Sequence, residues 1–190
     1  VLIIGESGTG KELVARLIHD GSYCSSGPFI PLHTGAIQPE LVMSELFGHE
    51  KGAFTGADSM KKGKLEMAAG GTLFLDEIGT METRTQIALL RVLETKTFFR
   101  VGGTEPVSVD FRILAATNIN LRKAAKRRLF RKDLLYRLSS FEIEIPPLRR
   151  RKKDIVALVD RLITDYNREF DKEIQGITRA AIRKFLSYPW

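Results

Sequence analysis

An apolar strand, a glycine-rich loop and a helix follow one another within the first eighteen residues. This order of elements constrains the possible folds of the chain more than any other feature of the sequence. Residues 1–4 (VLII) form a continuous apolar run, which is typical of a strand buried on both faces of a parallel sheet. Three glycines fall within residues 5–10, and residues 13–18 (LVARLI) carry apolar side chains at helical spacing. Strand and helix patterns alternate up to residue 147, so the sequence predicts an α/β fold with a mostly parallel sheet.

The loop at residues 5–12 (GESGTGKE) has the composition of a phosphate-binding loop. Its backbone N–H groups and the positive end of the next helix can hold phosphates, and Lys11 can reach the terminal ones. One position departs from the general motif, because Glu12 stands where a Ser or Thr would bind magnesium. A glycine-rich turn before a helix also occurs without a nucleotide, but the preceding strand favours an ATP site. The predicted ATP-binding residues of this loop are Gly5, Glu6, Ser7, Gly8, Thr9, Gly10, Lys11 and Glu12.

A second apolar strand, residues 70–77 (GGTLFLDE), ends in two adjacent carboxylates. Open α/β sheets bind ligands at the carboxyl ends of their strands, which is where these side chains stand. Asp76 is therefore predicted to belong to the ATP site and to help hold Mg²⁺ through water. Glu77 is predicted to orient and polarise the attacking water as a general base. The alternative is an ordinary acidic turn after a strand, and the phosphate loop upstream makes that less attractive.

A third strand is predicted over residues 107–117, and Asn118 follows its end. A Thr-Asn pair alone is only a turn signal. At the same sheet edge as the two carboxylates, however, Asn118 can hydrogen-bond the γ-phosphate or the attacking water, so it is a predicted catalytic residue.

Two arginines six residues apart, Arg131 and Arg137, lie in a predicted short helix at residues 130–138 (FRKDLLYRL). An arginine is always charged and can bind phosphate oxygens through two N–H groups. Placed across a subunit boundary, one of them would act as an arginine finger, worth about 10³–10⁵ in rate. The alternative is a pair of salt-bridged surface arginines.

Residues 52–57 (GAFTGA) combine four small residues with one aromatic and one hydroxyl side chain. Small residues let the backbone bend sharply, and Phe54 fits no core periodicity. An ordinary surface turn with one half-buried aromatic is the alternative, but parts of the predicted ATP site flank the hexapeptide on both sides.

In combination, these segments resemble the central AAA+ domain of bacterial enhancer-binding proteins, which activate sigma-54 RNA polymerase. The resemblance covers essentially the whole chain, and the segments occur in the family's order and spacing. Glu12 is usual in that family, and the hexapeptide is close to diagnostic of it within AAA+ proteins. The matching segments are residues 5–12, 44–57, 70–79, 100–103, 115–118 and 130–138.

The resemblance implies a mechanism in which ATP lies between neighbouring subunits of a ring, with a hexamer expected. Lys11, Asp76 and Glu77 would act within one subunit, and Arg131 and Arg137 would reach in from the next. Hydrolysis would move a loop that contacts sigma-54 and remodels the closed polymerase complex. The implied sigma-54 contacts are Gly52, Ala53, Phe54, Thr55, Gly56 and Ala57.

Two further points come from the same resemblance. Residues 100–104 look like the family's second moving hairpin, and their glycine pair suits a tight turn. Residues 33–36 (HTGA) stand where the family usually has Asn-Cys-Ala-Ala, whose Asn holds the catalytic glutamate inactive. His33 can also donate a hydrogen bond, in a way that depends on pH. A switch role for His33 and a histidine satisfied by a neighbouring loop both stay open.

Two other functions remain as alternatives to a sigma-54 activator. One is an AAA+ remodelling ATPase with a different protein client, which Phe54 and Thr55 disfavour. The other is a nucleotide-dependent interaction module without hydrolysis. That module would lack Glu77, Arg131 or Arg137, and all three are present.

The net charge of +7 is concentrated in residues 122–132, with seven basic residues, and in residues 149–153, with five. DNA binding is one interpretation of these clusters. Neither cluster includes a recognition helix or interleaved aromatic residues, which disfavours DNA binding by these clusters. The family resemblance implies that DNA binding belongs to a separate domain outside this chain.

Composition predicts neither a membrane segment nor an internal disulfide. No apolar run is long enough to span a membrane, we expect no targeting leader, and Cys24 has no second cysteine to pair with in this sequence. A bacterial cytoplasmic protein is expected. At 190 residues and 43% hydrophobic content, the chain can bury one α/β core with a small appendage.

The chain is predicted to divide into residues 1–147, an N-terminally incomplete AAA+ core, and residues 148–190, the beginning of a C-terminally truncated helical lid. We expect such a fragment to bind nucleotide poorly and hydrolyse it slowly. Within the core, helices are predicted at Lys11–Asp20, Pro39–Phe47 and Thr83–Thr95, and strands at Phe29–Leu32 and Phe141–Ile145. The lid is predicted to contain a helix at Asp154–Phe170 and a second one capped by Thr178.

Overall fold

A five-stranded parallel sheet organises the larger of the two units into which the chain divides, Val1–Ile145. The computed structural model describes all residues, 1–190. The strands are β1 (Leu2–Ile4), β2 (Phe29–His33), β3 (Gly48–His49), β4 (Lys61–Lys62), β5 (Thr72–Asp76), β6 (Thr97–Phe99), β7 (Pro106–Ser108), β8 (Arg112–Thr117) and β9 (Glu142–Glu144). The main sheet has the order β2-β5-β8-β1-β9, and each of its four pairings is parallel. The two antiparallel pairs, β3 with β4 and β6 with β7, lie outside it.

Helices cover the sheet on both faces, as a parallel sheet requires. In this unit they are α1 (Lys11–Asp20), α2 (Pro39–Phe47), α3 (Lys64–Met67), α4 (Thr83–Thr95), α5 (Leu121–Lys126) and α6 (Lys132–Leu138). Two further helices, α7 (Lys153–Phe170) and α8 (Arg179–Ser187), belong to the smaller unit. Successive residues of β5 alternate between two buried clusters: Leu73 and Leu75 belong to the larger, and Phe74 belongs to the smaller together with Ala15 of α1. The predicted α/β fold with a mostly parallel sheet is therefore confirmed.

Most predicted element boundaries agree with the structure, and one predicted strand does not. The helices α1, α2 and α4 have the predicted limits. The single strand predicted over residues 107–117 is wrong, because β7 turns back on β6 and only β8 joins the main sheet. The chain changes direction at Asp110, whose carbonyl accepts the Gly70 N–H at 2.9 Å, while its carboxylate binds Lys96. The predicted helix at residues 130–138 begins only at Lys132, after Arg131 at its N-cap.

The smaller unit, Pro146–Trp190, contains the helices α7 and α8. The helix α7 begins one residue earlier than predicted, at Lys153. Thr178 caps α8 as predicted, since its hydroxyl accepts the Ala181 N–H at 3.2 Å. The connecting segment is tied to α7 by Asn167, whose side chain makes hydrogen bonds of 2.8 and 3.0 Å with the Ile174 backbone. None of the helices has the length and apolar character needed to cross a membrane.

Arg100, at the end of β6, joins the β6–β7 hairpin to α3. Its Nε and Nη2 donate to the two carboxylate oxygens of Glu66 at 2.9 and 2.7 Å, and its Nη1 donates to Glu50 at 2.8 Å. The side chains of Arg100 and Glu66 are only 17% and 11% exposed. This paired hydrogen bond lowers the pKa of the Glu66 carboxyl and raises the pKa of the Arg100 guanidinium.

Substituting Arg100→Met is expected to lower the free energy of unfolding by about 1–3 kcal/mol, because it leaves the Glu66 carboxylate largely buried without a partner. The matched control is Lys61→Met, which breaks the exposed Lys61–Glu45 pair and should cost less than about 1 kcal/mol. Denaturant unfolding of both variants measures the difference. Equal stability of the two variants would show that the pairing of Arg100 with Glu66 does not stabilise the fold more than an exposed ion pair does.

The same pair predicts a pH dependence. Because folding lowers the pKa of Glu66, its contribution is present above the unfolded pKa of about 4.3 and is lost as the pH falls through the folded value. The stability difference between the parent protein and Arg100→Met should therefore shrink below about pH 4. A difference that stays constant or grows on acidification would show that Glu66 is not the titrating partner.

Candidate active site

The carboxyl ends of three neighbouring strands meet at one edge of the sheet. The strand β8 lies between β5 and β1, with Leu75 opposite Ala115 and Ile4 opposite Thr117. The Gly5 N–H donates to the Thr117 carbonyl at 3.1 Å, which joins the first residue after β1 to the end of β8. The glycine-rich loop, the two carboxylates and Asn118 therefore follow three adjacent strands at a single edge, as the sequence predicts.

The glycine-rich loop leads into α1 through two residues with left-handed backbone. Gly8 and Gly10 have φ of 78° and 88°, values that favour glycine over any other residue. No side chain caps the first turn of α1, so its N-terminal amide groups are directed at the loop without a side-chain acceptor. Backbone N–H groups at a helix N-terminus are suited to bind an anion.

Lys11 is a buried cation without an acidic partner. It is only 8% exposed, and its Nζ donates to the carbonyl oxygens of Gly5 and Glu6 at 3.1 and 3.0 Å. No carboxylate lies within salt-bridge distance of it. A buried ammonium is costly unless a charge compensates it, so the loop fits an anionic ligand such as the phosphates of a nucleotide.

His33 lies between the two carboxylates at the end of β5. The register of β2 and β5 places His33 opposite Asp76. Its Nδ1 is 3.2 Å from Asp76 Oδ2, and its Nε2 is 3.4 Å from Glu77 Oε2. A neutral imidazole donates one hydrogen bond and an imidazolium donates two. The half-exposed ring is therefore close to both carboxylates, one at the end of β5 and one in the turn that follows it.

The backbone of Glu77 is held in an uncommon conformation. Its φ of 54° and ψ of 38° are left-handed, a region that non-glycine residues seldom adopt. The buried Thr34 hydroxyl lies 2.9 Å from the Glu77 carbonyl, and the Thr80 hydroxyl donates to the same oxygen at 2.9 Å. The Glu77 N–H donates to Asp76 Oδ1 at 2.9 Å. Neighbouring side chains thus stabilise the turn that presents the Glu77 carboxylate.

Gly35 lies directly against this carboxylate, so a larger residue there would displace the Glu77 side chain. A Cβ atom at Gly35 would overlap Glu77 Oε2. Sequence reasoning treated Thr34 and Gly35 only as a departure from a family pattern and missed their contacts with Glu77. Their contact with Glu77 could have been predicted from their position, because they directly follow β2, the strand next to the one that carries the carboxylates.

Asp76 fits a magnesium ion only in part. One of its oxygens accepts the Glu77 N–H and the other faces His33. No group of three or more His, Cys, Asp or Glu side chains lies close enough to hold a metal. Magnesium usually keeps several waters and binds through one or two carboxylates plus substrate phosphates. Asp76 is thus suited to hold Mg²⁺ together with a nucleotide, and the chain offers no metal site independent of one.

The two arginines lie apart from the groups at the sheet edge. The Arg131 guanidinium binds Asp133 through Nε and Nη2 at 3.0 and 2.6 Å, which lowers the pKa of the Asp133 carboxyl. Arg137 donates from Nη2 to the Leu93 carbonyl at 3.1 Å. Within the chain, neither guanidinium contacts Lys11 or Glu77, and Asn118 is exposed without a hydrogen-bond partner.

The hexapeptide forms an exposed loop between β3 and β4. The Gly52 N–H donates to the Ala57 carbonyl at 2.8 Å and closes the loop at its base. Phe54 is 39% exposed, and its ring meets the edge of the His49 ring with centroids 5.0 Å apart. Thr55 is exposed at the tip. An aromatic and a hydroxyl side chain are therefore both accessible.

The turn of the β6–β7 hairpin contacts the base of this loop. The Val101 N–H donates to Gly48 O, and the Glu50 N–H donates to Val101 O, each at 3.0 Å. Gly102 has a φ of 76°, and a Cβ there would lie 2.8 Å from Ala53. The predicted hairpin at residues 100–104 is observed, and its tip is hydrogen-bonded to the hexapeptide loop.

Comparison with known proteins identifies the same two parts of the chain. A family model described as "Sigma-54 interaction domain" matches residues 1–144, and one described as "AAA+ ATPase lid domain" matches residues 149–190. Nitrogen fixation protein VnfA of Azotobacter vinelandii is 48% identical over 190 residues, which are all of this chain and 36% of VnfA. DNA-binding transcriptional regulator NtrC of Escherichia coli K12 is 50% identical over 192 residues, covering all of this chain and 41% of NtrC.

Solved structures agree with this grouping. Crystal structures of NtrX from Brucella abortus in complex with ADP and with ATP match with TM-scores of 0.92 and 0.90, each at 39% identity. They cover the whole of this chain and 41% and 42% of NtrX. The chain therefore spans less than half the length of the relatives it matches. It belongs to the family of sigma-54 interaction domains, the AAA+ ATPase domains of sigma-54-dependent activators.

Proposed function

We propose that this chain is an ATP-hydrolysing motor domain that acts on sigma-54 and remodels the RNA polymerase closed complex. The observation that carries the proposal is a single sheet edge at which the buried ammonium of Lys11 follows β1 and the Glu77 carboxylate follows β5, with β8 between the two strands. A phosphate-binding cation and a general base at one sheet edge suit phosphoanhydride hydrolysis. The family membership and the NtrX complexes with ADP and ATP support nucleotide binding.

Each residue at the edge has a distinct role in the proposed reaction. Lys11 and the N–H groups of residues 5–12 bind the phosphates of ATP. Glu77 accepts a proton from the attacking water, and Asn118 hydrogen-bonds the γ-phosphate or that water. Mg²⁺, held in part by Asp76 through water, would neutralise negative charge on the phosphate oxygens when bound.

Arg131 and Arg137 are proposed to act on the nucleotide of a neighbouring subunit. Both guanidinium groups lie away from the sheet edge of their own chain, with partners at Asp133 and Leu93. Self-association into a ring, which we propose to be hexameric, would bring them to the next active site, where arginine stabilises the charge that develops on phosphate.

A short path through the chain connects Glu77 to the exposed hexapeptide loop. Thr34 contacts the Glu77 carbonyl, and α2 begins at Pro39 and ends at Phe47, directly before β3. The Ser44 hydroxyl is 2.7 Å from His49 Nδ1, and the His49 ring contacts Phe54. A change at Glu77 can thus reach Phe54 through one helix and two side-chain contacts. His33, in contact with Glu77, is placed to bias that change.

The remaining parts of the activity belong to the whole protein. VnfA and NtrC are bacterial proteins, and a sigma-54 partner would place the work in the bacterial cytoplasm. DNA binding is proposed to reside in a separate domain, since the relative NtrC is a DNA-binding transcriptional regulator. An AAA+ remodeller with another client remains the second candidate, and capture of sigma-54 distinguishes the two.

Substituting Glu77→Gln in the full-length protein is expected to lower ATP hydrolysis by about 10²–10⁴-fold while nucleotide binding persists. The amide keeps the shape of the side chain but cannot accept the proton. The matched control is Glu82→Gln, the same change at an exposed acid beside Arg84. Steady-state hydrolysis and titration with a fluorescent ATP analogue provide the measurements. Hydrolysis by Glu77→Gln at the rate of the control would show that Glu77 is not the base.

Substituting Thr55→Ala is expected to leave hydrolysis within about twofold of the parent and to abolish transcription activation, because Thr55 is exposed at the loop tip and far along the chain from the sheet edge. Capture of sigma-54 in the presence of ADP–aluminium fluoride should be lost as well. Ser59→Ala, at another exposed position of the same loop, serves as the control and should retain capture. Equal loss of hydrolysis and activation in Thr55→Ala would contradict the loop assignment. Hydrolysis by the parent without sigma-54 capture would favour another client.

A further inference from the structure

Gln86, in the first turns of α4, is a fully buried amide whose hydrogen bonds all leave its own helix. Its Nε2 donates to the Met81 carbonyl at 2.8 Å and to the Leu129 carbonyl at 3.2 Å. Its Oε1 accepts the Arg131 N–H at 2.8 Å. Both donors and the acceptor are therefore used, and every partner is a backbone group of another segment. A buried side chain with this pattern fixes the position of the segments that it joins.

The backbone of the segment that carries Arg131 bonds to the helices on either side, and Gln86 links it to α4. The Leu129 N–H donates to Ala124 O at 3.0 Å, and Arg131 O accepts the Leu135 N–H at 3.1 Å. Arg128 has a left-handed φ of 61°, and α6 begins only at Lys132. Between them, Phe130 is buried, while Leu129 is exposed. The Arg131 guanidinium binds Asp133 two residues further on, and both side chains are substantially exposed. The side-chain pair therefore cannot fix where Arg131 stands, and the Gln86 amide holds the backbone on both sides of Phe130.

We propose that Gln86 is the positioning residue for Arg131. By holding the Leu129 carbonyl and the Arg131 N–H, it sets the place from which the guanidinium extends towards the nucleotide of a neighbouring subunit. The inference rests on the proposed role of Arg131 across the subunit boundary. A misplacement of about 1 Å in a catalytic group can cost about 10²-fold in rate, so a loosened backbone here lowers turnover and leaves nucleotide binding intact.

A competing role follows from the third hydrogen bond of the same amide. Met81 ends the turn that begins at Glu77, since the Thr80 N–H donates to the Glu77 carbonyl at 2.9 Å and the Met81 N–H donates to Ile78 O at 3.3 Å. Gln86 would then serve the general base of its own subunit. If Gln86 positions Arg131, its loss slows ATP hydrolysis in the neighbouring subunit. If it positions Glu77, its loss slows hydrolysis in its own subunit, and rings of mixed variants distinguish the two roles.

The first experiment compares two adjacent buried positions in the full-length protein. Gln86→Met keeps a similar volume but removes all three hydrogen bonds. It should lower kcat about 10- to 100-fold with KM for ATP little changed. The control is Thr85→Val, because Thr85 is equally buried and its hydroxyl has no hydrogen-bond partner. That variant should keep the kcat of the parent. An unchanged kcat in Gln86→Met, or an equal loss in Thr85→Val, overturns the proposal.

The second experiment mixes Gln86→Met subunits with Glu77→Gln subunits. Some junctions in the mixed rings then combine an intact Glu77 from the first variant with a well-placed Arg131 from the second. Hydrolysis should rise above the sum of the two separate variants. This increase in ATP hydrolysis should equal the increase seen when Arg131→Ala subunits are mixed with Glu77→Gln subunits.

The failures of the two proposals are distinguishable. If the Arg131→Ala mixture does not recover, Arg131 does not act across subunits and the proposed ring mechanism fails. If that mixture recovers and the Gln86→Met mixture does not, Gln86 serves Glu77 and this inference fails. If Gln86→Met does not fold, Gln86→Asn takes its place in the same mixture, because the side chain stays polar but is one methylene too short to hold the Leu129 carbonyl and the Arg131 N–H, and the same two results decide.

Discussion

The pairing of β5 with β2 on one side and β8 on the other is the constraint on which the site depends. It places the carboxyl end of β5 between those of β2 and β8, with His33 opposite Asp76. A strand buried on both faces cannot shift its register without exposing its apolar side chains. The carboxylates are therefore fixed by the core, and only the turn after Asp76 is adjustable. That turn contains Glu77 in a left-handed conformation held by hydroxyl groups.

Glu77 stands where two paths through the chain meet. One path runs through Thr34 and α2 to the loop that exposes Phe54. The other runs through the hydrogen-bonded turn to Met81 and then through the Gln86 amide to Arg131. Both paths consist of hydrogen bonds and short rigid elements, which have few alternative arrangements. A single carboxylate is thus connected to the exposed loop and to the arginine proposed to serve the next subunit.

The sequence predicted those features that local pattern determines. The helix α1 is limited by glycines, and α2 begins at Pro39 and ends before Gly48, so their bounds were predicted correctly. The single strand over residues 107–117 was wrong because apolar residues alternate through both halves, and the break depends on a distant hydrogen bond from Gly70 to Asp110. Gln86 was missed for a related reason. A polar residue in an amphipathic helix suggests a solvent-facing position, and only the tertiary fold shows that its amide is buried.

The exposed pair of Arg131 and Asp133 shows why the backbone anchor matters more than the side-chain partner. Both side chains are more than a third exposed, and solvent screens pairs of this kind strongly. A triphosphate carries several negative charges and more acceptor oxygens, so it can displace one aspartate from the guanidinium at little cost. Asp133 can therefore keep the guanidinium extended without holding it against a better anion. The exposed side chain of Arg131 cannot fix the position of its own backbone. The buried amide of Gln86 fixes that position.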